Sequence, residues 1–445
     1  MKMNVDFSKI IRPIGKLNGA NNGPLHTYSD RTEEYKDMGI EFVRFHETHS
    51  PNSKCLEIPL IFRDFDADEN DPANYYFGET DAVMKAAVDM GLEIMYRLGM
   101  GTEGTKPKIL CVVPKDYAKW ARIAEHIVMH YNEGWANGFH YNIEYWEIWN
   151  EADLIGYWPK DRMSYIDFYV ETANYLKKRF PNLKIGPSGF AGIYRPVRPD
   201  ESVDPVRAKD WDARVIFFDA FLERIAKGDA PMDFFPWHKY AIDSLTVMQS
   251  CKVIEELLAK HGLSHVELIN TEWNGISLNR DSAGYWDFHQ MFTQKHAIIV
   301  IADMIVMQKF GNTKAAYYDT DERTSFCGLY YYDGTLGPHY YSLKSWKYLR
   351  ACENEVFTSG DTDTVRICAA ANGKKAAVLI TNESDDDEKV TLRLEGIPSC
   401  YYTVTVYDSE HKLVPVKKGK YSGRALSFTM GKDSARLIEF DISEV

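Results

Sequence analysis

The sequence contains no uninterrupted apolar run long enough to cross a bilayer. Its longest such stretch, Ala297 to Met307, is broken by Asp303, and a membrane helix needs about 20 apolar residues. The first residues, Met1-Lys2-Met3-Asn4-Val5-Asp6, form no apolar h-region, so no signal peptide is read. Cysteine is scarce. The seven, at 55, 111, 251, 327, 352, 368 and 400, are odd in number and contain no C-x-x-C pair. That pattern argues against a disulfide framework or a zinc ribbon and fits reduced thiols, so a cytoplasmic location is expected. Basic residues are outnumbered, 52 Lys+Arg against 65 Asp+Glu, for a net charge of −13. With no Lys/Arg block, a general nucleic-acid binder is excluded, and no membrane partner is expected. Internal repeats and low-complexity tracts are absent.

Apolar residues make up 45% and charged residues 26% of the chain, values of a globular protein with a full core. Its 445 residues suit a barrel of roughly 250–350 residues with a small partner. Eight β-rich runs alternate with helical patterns: Arg12–Asn18, Ile40–His46, Leu92–Leu98, Ile143–Trp149, Lys184–Gly189, Asp233–Lys239, His265–Thr271 and Lys314–Asp319. Several are apolar on both sides, as parallel strands covered on both faces are. Ser164-Tyr165-Ile166-Asp167 reads as a capping box, with Tyr165, Tyr169, Ala173, Leu176 and Phe180 on one face behind it. A second stripe, Val253, Ile254, Leu257 and Leu258, ends at Gly262 as a C-cap. The alternation predicts an α/β fold, a (β/α)8 TIM barrel over residues 1–350. A doubly wound open sheet is the alternative, but no G-x-G-x-x-G follows the first strand.

Beyond about residue 350 the helical patterns cease. Two short strands flank Asn372-Gly373, a hairpin signal, and four more follow, so residues 351–445 are expected to form a β-sandwich. The extreme N-terminus is free to add a strand to it. Asn382-Glu383-Ser384 fits a glycosylation sequon, but in a cytosolic chain it carries no sugar. Two insertions, 47–78 and 191–210, are rich in Pro, Asp, Asn and Arg. If they follow strands two and five they lie on the catalytic face.

Polar residues at the C-terminal ends of barrel strands point into the mouth. Strand two ends Arg44-Phe45-His46-Glu47, strand four Trp146-Glu147-Ile148-Trp149-Asn150-Glu151, strand six Trp237-His238-Lys239-Tyr240, and strand seven Asn270-Thr271-Glu272-Trp273-Asn274. Glu151 and Glu272 thus face each other across the mouth. Retaining cleavage of a glycoside needs such a pair, one carboxylic acid to protonate the leaving oxygen and one carboxylate to attack the anomeric carbon, about 5–5.5 Å apart. Trp149, Trp158 and Trp273 flank them, and sugar C–H faces stack on such rings. Two carboxylates this close cannot both ionise easily, so one is expected to hold a proton while the other carries the charge.

These residues resemble a family. Trp149-Asn150-Glu151 resembles the W-N-E acid/base signature of retaining barrel glycosidases. Thr271-Glu272-Trp273-Asn274 is similar to the T-E-[WF]-N nucleophile segment of glycoside hydrolase family 39, the family of β-xylosidases and α-L-iduronidases. Arg44-Phe45-His46 and His238-Lys239-Tyr240 resemble its R-x-H and H-x-Y. Ala152 stands where its xylosidases usually carry Pro, and Glu47 where they carry Gly. The resemblance implies that Glu151 is the acid/base and Glu272 the nucleophile. It implies that Asn150 bonds the sugar 2-hydroxyl, that Tyr240 orients the nucleophile, and that His46 and His238 contact sugar hydroxyls. Trp273 joins the substrate site, and Asp319, Asp321 and Glu322 after the last strand are candidates for further hydroxyl contacts.

The expected activity is that of a retaining exo-glycosidase on short oligosaccharides, β-xylosides first. The same site on a β-glucoside, β-galactoside, α-L-arabinoside or α-L-iduronide is a second reading, and an inactive carbohydrate-binding protein a third. No cofactor is implied, and the chain can still form a homo-oligomer. His46-Glu47-Thr48-His49 lacks the H-E-x-x-H spacing, so no metal is expected there. Among other residues, Trp120, Trp135 and Trp346 are expected to pack in helices, and Cys327 to be a buried thiol.

Overall fold

A computed structural model describes residues 1–26, 29–47, 54–102, 111–192, 201–276, 288–322 and 326–442. The chain runs β1 (Lys2–Pro13), β2 (Lys16–Asn21), α1 (Thr32–Met38), β3 (Phe42–Phe45), α2 (Ile58–Ile61), α3 (Gly78–Asp89), β4 (Glu93–Leu98), α4 (Tyr117–Asn132) and β5 (Tyr145–Ile148). It continues through α5 (Met163–Arg179), β6 (Lys184–Gly186), α6 (Pro205–Ala226), β7 (Phe234–Tyr240), α7 (Ser244–Lys260), β8 (Glu267–Asn274), α8 (Gln294–Lys309), β9 (Asn312–Tyr317) and α9 (Pro338–Arg350). The last segment is all strand: β10 (Asn354–Ser359), β11 (Val365–Ala371), β12 (Lys375–Asn382), β13 (Glu388–Glu395), β14 (Cys400–Tyr407), β15 (Lys412–Tyr421), β16 (Leu426–Met430) and β17 (Ser434–Asp441).

Eight parallel strands form one sheet in the order β6-β5-β4-β3-β2-β9-β8-β7. A doubly wound sheet would reverse its strand order at its first strand; here β2 to β6 and β7 to β9 each follow in sequence order, and β9 pairs with β2. The ring closes between β6 and β7 through a parallel bridge from Phe190 to Trp237 and through the His238 N–H on the Phe190 carbonyl at 2.9 Å. This is the (β/α)8 barrel, with catalytic geometry expected at the C-terminal strand ends.

The second sheet has nine strands in the order β15-β14-β17-β12-β11-β10-β1-β13-β16. Strand β1 pairs antiparallel with β10 and parallel with β13, so the N-terminus does extend the C-terminal β-structure. Its apolar face has a core of its own, including Met3, Val5, Ile380, Leu392 and Phe440. The run Arg12–Asn18 is divided, because Arg12 and Pro13 finish β1 and the barrel strand begins at Lys16. Gly15 lies between them where a Cβ would come 2.6 Å from the Asn312 carbonyl, so the chain must cross the barrel floor without a side chain.

Helix α8, the longest apolar run of the sequence, is buried on every face. It packs on α7 and α9 and on β11, β12 and β17, and so joins barrel to sheet. No described helix is long and apolar enough to cross a membrane. Gly262, at φ +72°, follows α7 as its cap, and the hairpin at Asn372 closes with its Oδ1 accepting the N–H groups of Lys374 and Lys375. Helix α5 starts two residues earlier than the capping box requires. Asp161 Oδ1 accepts the Met163 N–H at 3.1 Å, while the Ser164 hydroxyl donates to the Asp161 carbonyl and accepts from Trp158 Nε1. Asn382 is fully buried with its amide donating to the carbonyls of Asp386 and Gly431, so the sequon is inaccessible. All seven cysteines are buried and unbridged.

At the junction of barrel and sheet, Glu383 accepts hydrogen bonds from the Ser244 hydroxyl and N–H, and Arg366 Nε donates to the same hydroxyl at 2.8 Å. Burial pushes the Glu383 carboxyl up to about 7 against the pull of those donors. The folded state therefore keeps a proton there that the unfolded chain has already released. Stability from this group is full below the unfolded value and declines as pH rises toward 7, at up to about 1.4 kcal/mol per pH unit. Melting temperatures of wild type and Glu383→Gln should nearly coincide at pH 5, with the variant the more stable above pH 7. Parallel melting curves across that range would contradict the assignment.

Candidate active site

Strand alternation decides which side chains enter the mouth. On β7, His238 and Tyr240 share a face, and Trp237 takes the other, where its Nε1 donates to Asn312 Oδ1. On β8, Asn270, Glu272 and Asn274 alternate with Thr271 and Trp273. Beyond β5 the chain leaves extended geometry. Trp149 (φ +77°) and Glu151 (φ +43°) adopt left-handed backbone, a strain of roughly 1–3 kcal/mol each that surrounding contacts must hold. The contacts are visible: Trp149 N–H donates to Leu98 O, and Glu151 N–H donates to Gly189 O at 3.0 Å.

The outcome is convergence. Glu151, His238 and Glu272 each present a side-chain atom within 4.8 Å of the other two, and all three residues are buried. His238 Nδ1 lies 2.9 Å from Glu151 Oε1 and 3.6 Å from Glu272 Oε2, and its Nε2 lies 3.1 Å from Thr271 Oγ1. Burial holds the imidazole below its ordinary pKa, so it is neutral and carries one N–H.

Beneath the pair lies a guanidinium with no solvent exposure. Arg44 donates from Nε to Glu147 Oε2 at 2.7 Å, from Nη2 to Asn150 Oδ1 at 2.7 Å and from Nη1 to Asn21 Oδ1 at 3.1 Å. Its Nη1 also reaches Glu272 Oε2 at 3.4 Å. Arg44 is at once a donor to the site, near Glu272, and a structural ion-pair member, through Glu147. Fixing Asn150 Oδ1 on Arg44 leaves Asn150 Nδ2 buried with no acceptor among the described residues. Such a donor costs about 1–3 kcal/mol unless something accepts from it.

The other predicted residues are dispersed. Tyr240 donates to Glu272 Oε1 at 2.5 Å. His46 is buried with its Nδ1 3.3 Å from Arg97 Nε and its ring edge-on to Tyr318, whose hydroxyl donates to Glu47 at 2.7 Å. Glu322 instead pairs with Arg31 and accepts from Ser29, away from the two glutamates' own partners. Asp319 and Asp321 are buried beside β9, with the Asp321 N–H on Asp319 Oδ1. The tryptophans are core residues. Trp273 is edge-on to Tyr317 at 5.6 Å, Trp149 and Trp158 pack against each other and Phe168, and Trp120 joins them. None of the three flanking rings offers an exposed face for stacking. Thr48 and His49, and residues 193–200 of the second insertion, lie outside the described residues.

Several polar residues went unmarked in the sequence. Glu147 lies within the fourth barrel strand, where its parity with Tyr145 directs it into the barrel toward Arg44. Asn21, Arg97 and Tyr318 are joined to the site only by folding, and no short motif announces them; Thr271 opens the T-E-[WF]-N segment, which does not announce its contact with His238.

Glu272, implied as the nucleophile, must hold its charge against burial. Burial, the largest effect, raises Glu272 to about 6; the nearby Glu151 adds to this, while Arg44 and the Tyr240 hydroxyl oppose it. Protonation of Glu272 therefore sets in below about pH 6, and its charge is present above. Because Tyr240 stabilises the ionised form, Tyr240→Phe should lift the Glu272 midpoint by roughly one unit. Carbon NMR of δ-labelled glutamate would report it; an unmoved or lowered midpoint would contradict the role of that hydroxyl.

No curated protein matches the chain in sequence. Solved structures match it along nearly its whole length. A glucosidase from Croceicoccus marinus superposes with a TM-score of 0.75 at 19% identity, covering 99% of this chain and 98% of its own. A monomeric β-xylosidase from Caulobacter crescentus gives 0.67 at 16%, covering 99% of each. An α-L-arabinofuranosidase from Thermotoga maritima gives 0.67 at 15%, again covering 99% of each. At such identities the likeness establishes the barrel with its appended β-structure. The model of glycosyl hydrolases family 39 matches residues 24–277, more than half of the chain and the whole segment from β3 to the end of β8. With the paired acids lying inside that segment, the chain belongs to glycosyl hydrolases family 39 and is a glycoside hydrolase.

Proposed function

We propose that the enzyme is a retaining exo-glycosidase that acts by double displacement through a glycosyl ester on Glu272, with β-xylosides as its preferred substrates. The observation that carries this reading is the separation of the pair, within 4.8 Å between an oxygen of Glu151 and one of Glu272. Direct attack requires about 5–5.5 Å between the carboxyl groups, and the inverting route, which must admit a water, roughly 6.5–9.5 Å.

The residues divide the work. Glu272 attacks the anomeric carbon, and its charge is supported by Tyr240 at one oxygen and by Arg44 near the other. Glu151 protonates the leaving oxygen. His238 donates Nδ1–H to Glu151 Oε1, which leaves Oε2 to carry the proton, and Thr271 Oγ1 fixes the ring from the opposite nitrogen. Asn150 Nδ2 is the buried donor for the sugar 2-hydroxyl, turned outward because Arg44 holds the amide oxygen. When Glu272 is esterified its charge disappears. Glu151 then releases its proton more readily and serves as the base that activates water.

The glycone is read from the β-xylosidase among the structural relatives and from the motif resemblance. The glucosidase and arabinofuranosidase keep a second glycone as the competing reading. A binding protein with a dead site is disfavoured because both carboxylates and their donors are intact.

A 2-deoxy-2-fluoro-β-xylosyl fluoride should inactivate the enzyme and add one fluoroxylosyl mass to the peptide carrying Glu272, while gluco and arabino analogues label more slowly. Adduct on another residue would overturn the assignment, and faster labelling by another sugar would replace the glycone. Glu151→Ala should lose about 10²–10⁴-fold on unactivated glycosides, and azide should restore turnover as the glycosyl azide. Unimpaired turnover without azide would remove Glu151 from the mechanism. The kcat/KM of the wild type should fall on the acid side below about pH 6, as Glu272 takes up its proton.

A further inference from the structure

Two residues past Glu151 a second carboxylate is buried without any exposure. Asp153 Oδ1 accepts the Ala191 N–H at 3.0 Å, and its Oδ2 accepts from Arg214 Nη1 at 2.7 Å. Its backbone carbonyl accepts from Arg162 Nε at 2.7 Å. Asp210 on α6 bridges the two arginines, accepting from Arg214 Nε at 2.8 Å and from Arg162. The contacts come from the start of α5, from the middle of α6 and from the segment after β6. They meet on a loop whose own backbone is strained at Trp149 and Glu151.

The neighbouring chain is shaped to admit this contact. A Cβ at Gly192 would lie 2.0 Å from Arg214 Nη1 and 3.3 Å from Asp153 Oδ2. Any side chain there would push the guanidinium off the carboxylate. The loop is otherwise stitched to the same segment by weaker bonds, Glu151 N–H to Gly189 O at 3.0 Å and Ala152 N–H to Ser188 Oγ at 3.3 Å. Without the charged bond, only neutral ones tie the left-handed glutamate's loop to that segment.

We propose that Asp153, clamped by Arg214, is the positioning residue that holds Glu151 at the leaving-group oxygen, and that Gly192 is glycine to let the clamp form. The inference rests on the reading of Glu151 as proton donor. A mispositioned donor harms only reactions that need the proton. Glycosides with poor leaving groups depend on protonation to depart, whereas a dinitrophenolate departs without it. Attack by Glu272 is untouched, because none of its partners lies in the clamp.

The test compares kcat/KM for methyl and 2,4-dinitrophenyl glycosides of the sugar the enzyme turns over, in wild type, Asp153→Asn, Gly192→Ala and Glu151→Ala. Asp153→Asn and Gly192→Ala should each lose roughly 30-fold or more on the methyl glycoside, and stay within about threefold of wild type on the dinitrophenyl glycoside. Arg214→Lys, which keeps a cation but not the fork, should fall between. The retained dinitrophenyl activity shows that the variants are folded. Equal losses on both substrates would reduce Asp153 to a structural residue, and no loss on either would remove the clamp. If Glu151→Ala itself loses both equally, the acid/base reading fails and the positioning role fails with it. If only Glu151→Ala discriminates, the positioning role alone is overturned.

Discussion

A fully buried arginine inside the barrel sets the terms for everything above it. Desolvating one guanidinium costs several kcal/mol unless acceptors surround it, and Arg44 meets that demand with Glu147, Asn21 and Asn150, from strands β5 and β2 and the loop after β5. Breaking a buried pair of this kind by removing one partner typically costs about 3–5 kcal/mol. The barrel strands are therefore locked in mutual register directly under the two glutamates. The same cation stands near Glu272 and turns the Asn150 amide, so one buried charge serves fold, nucleophile and substrate contact together.

Above that charge the chemistry is a competition between burial and compensation. Burial alone favours a protonated Glu272, and the neighbouring Glu151 pushes the same way; Arg44 and Tyr240 push back. The balance near pH 6 places the pair where one proton is shared between two acids and moves as one of them is esterified. His238 belongs to this balance more than to a sugar hydroxyl, since both of its nitrogens are already engaged, by Glu151 and Thr271. Its neutrality matters, because a neutral ring can support Glu151 without fixing its charge.

The barrel was legible because parallel strands leave continuous apolar runs and because polar residues after such runs have only the mouth to enter. That logic located Glu151, Glu272, His238, Tyr240 and Asn150 together. It failed where orientation depends on more than order. Trp149, Trp158 and Trp273 neighbour the acids in sequence, yet strand alternation and the left-handed turn after β5 send them into the hydrophobic core. Glu322 follows the last strand, but Arg31 from the start of α1 captures it. The capping box at Ser164 matched a pattern, while the backbone of α5 begins two residues sooner with Asp161 holding the turn. Asp153 was invisible for a different reason: its partners, Ala191 and Arg214, are distant in sequence, and the reason Gly192 must be glycine exists only once Arg214 is in place.

Stereochemistry tests the central claim, that Glu151 and Glu272 act on one anomeric carbon without room for an intervening water. Proton NMR of the first product, recorded before the free sugar mutarotates, reads it directly. From a β-glycoside the account predicts that the β-anomer appears first and the α-anomer grows in later at the spontaneous rate. The α-anomer appearing first would mean single displacement by water, and the paired-acid mechanism would be wrong.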